Sequence, residues 1–409
     1  MKTALVHGSR SILILGLLLA LGLRLGFSLG YWVGKPLSHD EKEYLMLSSN
    51  LAAGRGLVYD DDGREHFGRA PGYPVFLAGV RSIHDSLTVV RIAQSALGTL
   101  GVALIGMLAA RAAGPRAADA ALLVAAVYPP LVWMPAYFLS ESLYLPIALA
   151  ATLILWKAVD RPASGKFFVT GIVTGVTALV RPVALPFLAL AALVLALRRR
   201  IGAAVVLALG AAITIAPWAI WKTHESGRLV LIASEGGITF WTGNHPLAIG
   251  EGDMAANPAI QAANRELRAA HPGLSPDELE PVYYREALRF VREEPLRWLS
   301  LLLRKLFYLW VPIGPGYALH SALYRYSSLA SYFTLLPFAV VGFVRLVRSP
   351  TEISPLWILA GSAVLACLVF FPQDRYRVQA IDPVMIVCAA SLVSRWDERR
   401  RNANGAPLH

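Results

Sequence analysis

Residues 11–33 read SILILGLLLALGLRLGFSLGYWV. The only charged side chain in this stretch is Arg24. A bilayer-crossing helix takes about 20 apolar residues, so the stretch is long enough to span. Lys2 and Arg10 precede it, as basic residues precede a secretory leader. It is long for a leader, however, and Tyr31, Trp32 and Val33 follow where a small-residue cleavage site would stand. The expectation is a retained first helix with an aromatic belt at its outer end.

The same signal recurs along the chain. Apolar runs fill 87–110, 117–137, 142–158, 167–183, 184–197 and 201–221, then 327–347, 355–372 and 378–394. Over 409 residues, 56% are hydrophobic and 16% charged. A soluble domain usually carries about 25% charged residues. These values exclude a soluble globular enzyme, a disordered chain and a collagen-like one. They predict an all-α integral membrane protein of about ten transmembrane helices. Cys367 and Cys388 lie inside apolar runs, with no disulfide frame or zinc spacing around them.

The formal net charge is +11. In a soluble protein this would raise nucleic acid as a partner; here the basic residues punctuate the apolar runs, so no nucleic acid is expected. Arg111 and Arg116 flank one loop, and Lys157, Arg161 and Lys166 a second. Arg198, Arg199 and Arg200 mark a third, Arg345 and Arg348 a fourth, and Arg395, Arg399, Arg400 and Arg401 the C-terminal end. Placing all of them inside predicts a multi-pass protein of the cytoplasmic (inner) membrane with both termini cytoplasmic. The expected organisation is a polytopic domain over 1–395 and a cytoplasmic basic tail over 396–409. Two long segments, 34–86 and 222–326, then lie outside, with amphipathic helices in both. The stretch 296–314 is apolar but carries Arg304 and Lys305, and reads as an interfacial or re-entrant helix. Of the 27 acids, seven fall in 40–65 and eleven in 225–294. Polar chemistry is therefore expected on the extracytoplasmic face.

The first outer segment holds the main candidates. Glu41–Ala53 reads as a helix, with Gly54 or Gly56 as its stop. Asp40 stands at its start, as an N-cap or as a catalytic acid. Arg69-Ala70-Pro71-Gly72-Tyr73-Pro74 forms a rigid turn that sets a cation near the membrane surface. Asp60, Asp61 and Asp62 read as a solvated loop tip, because consecutive carboxylates do not point into one oxygen cage. Glu141 stands where the chain re-enters the bilayer, a costly place for a carboxylate unless it faces a polar cavity or a partner. Arg181, Lys222, Arg375 and Arg377 are further outer-end cations. Acids and arginines at one membrane face point to an anionic lipid headgroup bound beside a catalytic carboxylate, since Arg matches phosphate oxygens with paired hydrogen bonds.

This pattern resembles the polytopic glycosyltransferases of the GT-C class, in particular the bacterial relatives of protein O-mannosyltransferases and the lipid A aminoarabinose transferases. The residues that carry the likeness are Asp40-Glu41, Tyr44, Asn50–Gly56, Arg69 and the PGYP turn with Tyr73. They continue with Glu141 in LSESLYL, Arg181 in LVRP, Gly243 and Asn244 in GGITFWTGNHP, and Arg375-Tyr376-Arg377 in RYRVQAIDP. The resemblance covers about 10–395, and its order and spacing are more specific than any one motif. The chain departs from the larger members in carrying no further C-terminal helices or soluble domain, which leaves the acceptor open.

The resemblance implies a polyprenyl-phosphate sugar donor, the lipid bilayer as partner, and a lipid, glycan or protein acceptor. It implies inverting transfer at the outer face, with Asp40 as base, Glu41 as the weaker candidate, and Glu141 orienting the acceptor or polarising an arginine or a metal. Arg69, Arg181, Arg375 and Arg377 would hold the donor phosphate. No cofactor is required, and a divalent cation on Asp40, Glu41 and Glu141 is a possibility that no spacing rule demands. Trp241, His245, Tyr283, Tyr284 and Trp298 would stack on sugars or rest at the interface. The competing readings are a transporter or flippase of lipid-linked sugars, and a surface-polysaccharide polymerase or ligase.

Overall fold

The computed structural model describes residues 10–60, 66, 68–252, 254–349 and 354–403, and every regular element among them is helical. The expected Asp61 and Asp62 loop tip lies outside the described residues, and so does part of the basic tail. The chain opens with α1 (Arg10–Leu25), extended by a π-helical segment to Tyr31. The first insertion holds α2 (His39–Ala52) and α3 (Gly72–Ile83). The central bundle follows as α4 (Leu87–Ala113), α5 (Pro115–Val127), α6 (Pro129–Trp133), α7 (Glu141–Asp160), α8 (Ser164–Val180), α9 (Leu185–Leu197) and α10 (Ile201–Ser226). The second insertion holds α11 (Gly236–Gly243), α12 (Pro258–Ala269), α13 (Glu280–Glu293) and α14 (Pro295–Trp310). The last part is α15 (Ala322–Val347), α16 (Ser354–Val369), α17 (Asp374–Val378) and α18 (Ile381–Ala403).

Five of the described helices are long and apolar enough to cross a membrane: Arg10–Tyr31, α4, α7, α10 and α15. The protein is thus multi-pass. The expected run 117–137 is not one rod. It bends by 63° between α5 and the Pro129–Ala136 segment, and the two count as a sixth span only if taken together as one broken span and not as a re-entrant loop. The cause is Pro129-Pro130, whose rings push Tyr128 into an extended conformation (ψ 113°). Four further apolar helices, Ser164–Val180, Pro182–Leu197, Ser354–Val369 and Ile381–Ser394, are shorter. At 1.5 Å per residue they fall short of a hydrocarbon core of about 30 Å. Among the described residues, length and composition alone therefore support five or six crossings, and the expected count of about ten is not confirmed, because several of the expected runs form helices shorter than the hydrocarbon core.

Helix contacts use small residues, as expected where burial from lipid supplies little drive. A Cβ on Gly171 would strike the Leu207 carbonyl, and one on Gly210 the Phe168 carbonyl, so α8 and α10 touch backbone to backbone. Leucines and isoleucines such as Ile14, Leu15 and Leu18 on α1, or Leu209 and Ile213 on α10, remain exposed on the outer surface. Arg24 is fully buried and donates to the carbonyls of Ala20, Ala125 and Ala126, pairing locally with the electronegative end of α5. α14 turns Leu301, Lys305 and Leu309 inward and exposes Leu296, Leu299, Leu303 and Phe307. The starts of α2, α3, α7 and α17 and the end of α8 meet at one end of the bundle, as the following ion pairs show.

Candidate active site

The site begins with how α2 starts. The cap is Ser38, not Asp40. Ser38 Oγ accepts from Glu41 N, and Glu41 returns a carboxylate oxygen to Ser38 N at 2.7 Å, a capping box. The other Glu41 oxygen accepts from Phe138 N at 2.9 Å. Glu41 is buried, with both oxygens engaged by backbone. Because the cap is supplied by Ser38, the Asp40 carboxylate is left to face the site.

Two elements bring arginines to it. Gly72 starts α3 with its Cα against Leu179 and Val180 at the end of α8, where a Cβ would sit 2.9 Å from the Leu179 carbonyl. This contact lays the Arg69 turn beside Arg181. Farther along, Gly68 and Ser234 bond through Ser234 N to the Gly68 carbonyl (2.9 Å) and Gly68 N to Ser234 Oγ (2.8 Å). The second insertion is thereby pinned to the first, and Glu235 enters the site.

Arg69 donates through Nη2 to Asp40 Oδ1 at 2.9 Å, through Nε to Glu43 Oε2 at 2.9 Å, and through Nη1 to Glu235 Oε2 at 2.8 Å. Arg375 Nη1 donates to the second Asp40 oxygen at 2.8 Å. Arg375 Nε lies 3.8 Å from Glu141 Oε1, which Arg181 Nη1 approaches to 2.6 Å. Arg181 also donates to Ser140 Oγ at 2.9 Å, and that hydroxyl meets the Tyr44 hydroxyl at 3.3 Å. Tyr376 lies between the cations, with Arg181 and Arg375 over its ring at 5.4 and 5.5 Å. Tyr44 sits under Arg69 at 5.4 Å and meets Tyr73 edge-on. Tyr73 is fully buried and donates to Gln94.

Charge dominates the protonation states here. Burial alone would push the Asp40 carboxyl up, but Arg69 and Arg375 outweigh it and hold Asp40 well below the usual carboxylate range. Arg69 and Arg375 are held correspondingly firmly in the charged form, against burial, by the surrounding acids and tyrosines. Glu141 is 3% exposed, and neither of its oxygens has a well-formed hydrogen bond among the described residues. The cluster therefore joins acids to cations whose hydrogen bonds an incoming anion can take over. Among the described residues, no group of three or more His, Cys, Asp or Glu is arranged to hold a metal ion.

Of the expected residues, Asp40, Glu141, Arg69, Arg181, Arg375, Tyr44 and Tyr376 converge. Others do not join them. Arg377 faces away, donating to Asp382 Oδ1 at 2.9 Å under the Tyr332 ring. Asn244 is buried and ties α11 to α14 and α16: it donates to Val369 O and accepts from Trp298 and Lys305. His245 packs on Trp241 and accepts from Leu247 N; burial and Arg297 push it down to about 4. Lys222 pairs with Glu225. Trp241 and Tyr283 form a small apolar core within the second insertion, so they are no sugar platform. Glu43, Glu235 and Ser140 were not anticipated. Glu43 had a signal, standing three residues after Asp40 on the same helix face; Glu235 had none nearby.

The model of the family described as dolichyl-phosphate-mannose-protein mannosyltransferase matches residues 68–221, which include Arg69, Glu141 and Arg181. Curated proteins give no match to the chain. Among solved structures, the fold is similar to that of the oligosaccharyltransferase of Archaeoglobus fulgidus. Its form tethered to an acceptor peptide containing the NVT sequon gives a TM-score of 0.55 at 15% identity, covering 97% of this chain and 51% of that one. The same archaeal enzyme, AglB, with an inhibitory peptide and a dolichol-phosphate gives 0.50 at 15% identity, covering 98% and 52%. ArnT from Cupriavidus metallidurans bound to undecaprenyl phosphate gives 0.45 at 15% identity, covering 94% and 77%. This chain spans about half the length of the archaeal enzyme it matches. The resemblance to the GT-C class thus holds at the level of fold and of one family segment.

Proposed function

We propose that the protein transfers a sugar from a polyprenyl-phosphate donor to a lipid, glycan or protein acceptor at the extracytoplasmic face of the inner membrane, inverting the anomeric centre. The observation that carries this reading is the Arg69–Asp40–Arg375 arrangement, one carboxylate bridged by two guanidinium groups beside the Arg181–Glu141 pair. Both are what a lipid phosphate and a general base require side by side. The outward orientation rests on the loop arginines, beginning with Arg111 and Arg116.

In the resting site Asp40 is ionised but a poor base, because two cations neutralise it. A donor phosphate competes for those cations. As Arg375 and Arg69 turn part of their hydrogen bonds to phosphate oxygens, Asp40 regains proton affinity. The acceptor hydroxyl or amine then attacks the anomeric carbon and gives its proton to Asp40. The bond from that carbon to the phosphate oxygen breaks, and polyprenyl phosphate leaves with the electron pair. The departing charge stays on Arg375, Arg69 and Arg181, a stabilisation of about 3 kcal/mol for a well-placed donor. Base assistance adds roughly 10²–10⁴-fold.

The test is product analysis on purified protein in proteoliposomes supplied with a polyprenyl-phosphate sugar and cell-envelope extract as acceptor. Release of sugar-free polyprenyl phosphate, with the sugar recovered on a new molecule, supports the reading. Donor that changes leaflet unaltered overturns it in favour of a flippase.

A further inference from the structure

α17 has two working faces, and only one belongs to the site above. Arg375 reaches Asp40, whereas Asp374 and Arg377 face the other way. There Arg377 is 1% exposed. Its Nε bonds Asp382, whose other oxygen accepts from the Tyr128 hydroxyl at 2.9 Å. Its Nη2 has no hydrogen bond among the described residues, and its Nη1 has only the 3.9 Å ion pair with Asp374. Ser328 Oγ, also 1% exposed, has none either. Ser328 stands between Tyr324 and Tyr332 at four-residue spacing on α15, so all three share one helix face. Tyr332 lies 3.9 Å from the Arg377 guanidinium, which places that face toward Arg377. Buried donors left open in this way call for a partner.

The walls say what kind. The buried Tyr317 hydroxyl has no well-formed hydrogen bond among the described residues, and burial raises the nearby Asp374 carboxyl to about 6 against the pull of Arg377. His320 stacks on Tyr324 at 4.3 Å, and Tyr324 meets Trp133 at 4.9 Å. Two carboxylates against one guanidinium disfavour a phosphate. Aromatic faces, open N–H donors and a partly exposed carboxylate suit a neutral ring rich in hydroxyl groups.

We propose that the far face of α17, formed by Asp374, Arg377, Tyr317, Tyr324 and Ser328, is a carbohydrate subsite next to the phosphate-binding arginines. Its assignment to carbohydrate rests on the transferase reading. The ring comes from the acceptor or from the donor's own sugar, and the two sources share this chemistry.

The experiment is saturation-transfer NMR on the full chain in nanodiscs. The probes are methyl glycosides of mannose, glucose, galactose and arabinose. At least one should bind with a Kd on the order of millimolar. Tyr317→Phe, which keeps the ring, and Asp374→Asn should each weaken it about tenfold, while Asp40→Asn should not. A short-chain prenyl-phosphate sugar that displaces the glycoside assigns the subsite to the donor, and one that binds alongside assigns it to the acceptor; either supports the proposal. No binding by any glycoside, or binding indifferent to both Tyr317→Phe and Asp374→Asn, overturns it. A wild-type chain that transfers sugar but binds no glycoside rejects this subsite alone, and a wild-type chain that binds a glycoside but releases no polyprenyl phosphate rejects the transferase reading alone.

Discussion

Asp40→Asn separates the two roles assigned to Asp40, because it keeps the shape and removes both charge and basicity. Without a base, transfer should fall by roughly 10²–10⁴-fold, equivalent to about 3–5 kcal/mol in the barrier. Donor affinity should move the other way. In the resting site Arg69 Nη2 and Arg375 Nη1 sit 2.9 and 2.8 Å from Asp40. A phosphate must compete with that carboxylate for both. Two unit charges about 4 Å apart near a protein surface interact by up to about 4 kcal/mol, much of it screened for a quarter-exposed carboxylate. Removing the charge should therefore tighten the donor several-fold. The assay is paired: initial rates of polyprenyl phosphate release in proteoliposomes, and equilibrium binding of a fluorescent polyprenyl-phosphate sugar. The wild-type rate should also rise with pH until Asp40 is freed of its proton in the donor complex, and the Asn variant should show no such limb. Transfer within fivefold of wild type would remove Asp40 from the chemistry. Donor binding lost in step with the rate would refute the competition between carboxylate and phosphate.

Three further outcomes follow from individual contacts. Arg375→Ala should weaken donor binding about 10–100-fold with a smaller effect on acceptor KM, read by varying each substrate separately. Glu43→Gln leaves the catalytic groups in place but loosens Arg69, which Glu43 holds through Nε and Nη2; kcat should drop about tenfold, and Glu43→Asp should recover part of it, in the same release assay. Lys305 is buried, bonded to Asn244 and Leu368 oxygens, and burial drives its amine down to about 7. Between pH 7 and 10 the unfolded chain then holds a proton that the folded one does not, so stability should rise with pH across that window. Thermal unfolding of Lys305→Met should lose this slope.

The membrane character of the chain was legible because it depends on long apolar runs, and length and apolarity are local properties. α2 was legible for the same reason. Its predicted stop at Gly54 or Gly56 matches an end at Ala52 followed by glycines at φ +75° and +86°. What failed was continuity. The run 117–137 looks unbroken in composition, yet Pro129-Pro130 divides it, whereas the break at Arg181-Pro182 falls where the runs 167–183 and 184–197 are already separate in the sequence. Hydropathy averages over a proline, whereas the backbone does not. The second insertion was least legible. Its aromatics carry no mark that separates a platform from a core, and Trp241 and Tyr283 became core because they pack on each other and on Ile260.

The site divides in the same way. Asp40-Glu41 and Arg375-Tyr376-Arg377 look like functional pairs when written as a line. On a helix, neighbours are about 100° apart and second neighbours about 200° apart, so closeness in sequence does not by itself put residues in one site. Glu41 accordingly turns to Ser38 and Phe138, and Arg377 to Asp382, while Glu43 at the third position returns to Arg69 beside Asp40. The cluster draws at most three residues from each element: Asp40, Glu43 and Tyr44 from α2, Arg69 from a turn, Ser140 and Glu141 at the start of α7, Arg181 past α8, Glu235 from the second insertion, and Arg375 and Tyr376 from α17. No spacing rule within one segment can detect such a set. The motif order could find it because each motif marks a helix end, and helix ends are where the fold brings separate segments together. The same rotation explains why Arg377 is not a spare copy of Arg375. It carries an equal charge into a buried cluster with two carboxylates, Asp374 and Asp382, which already balance it and disfavour a phosphate.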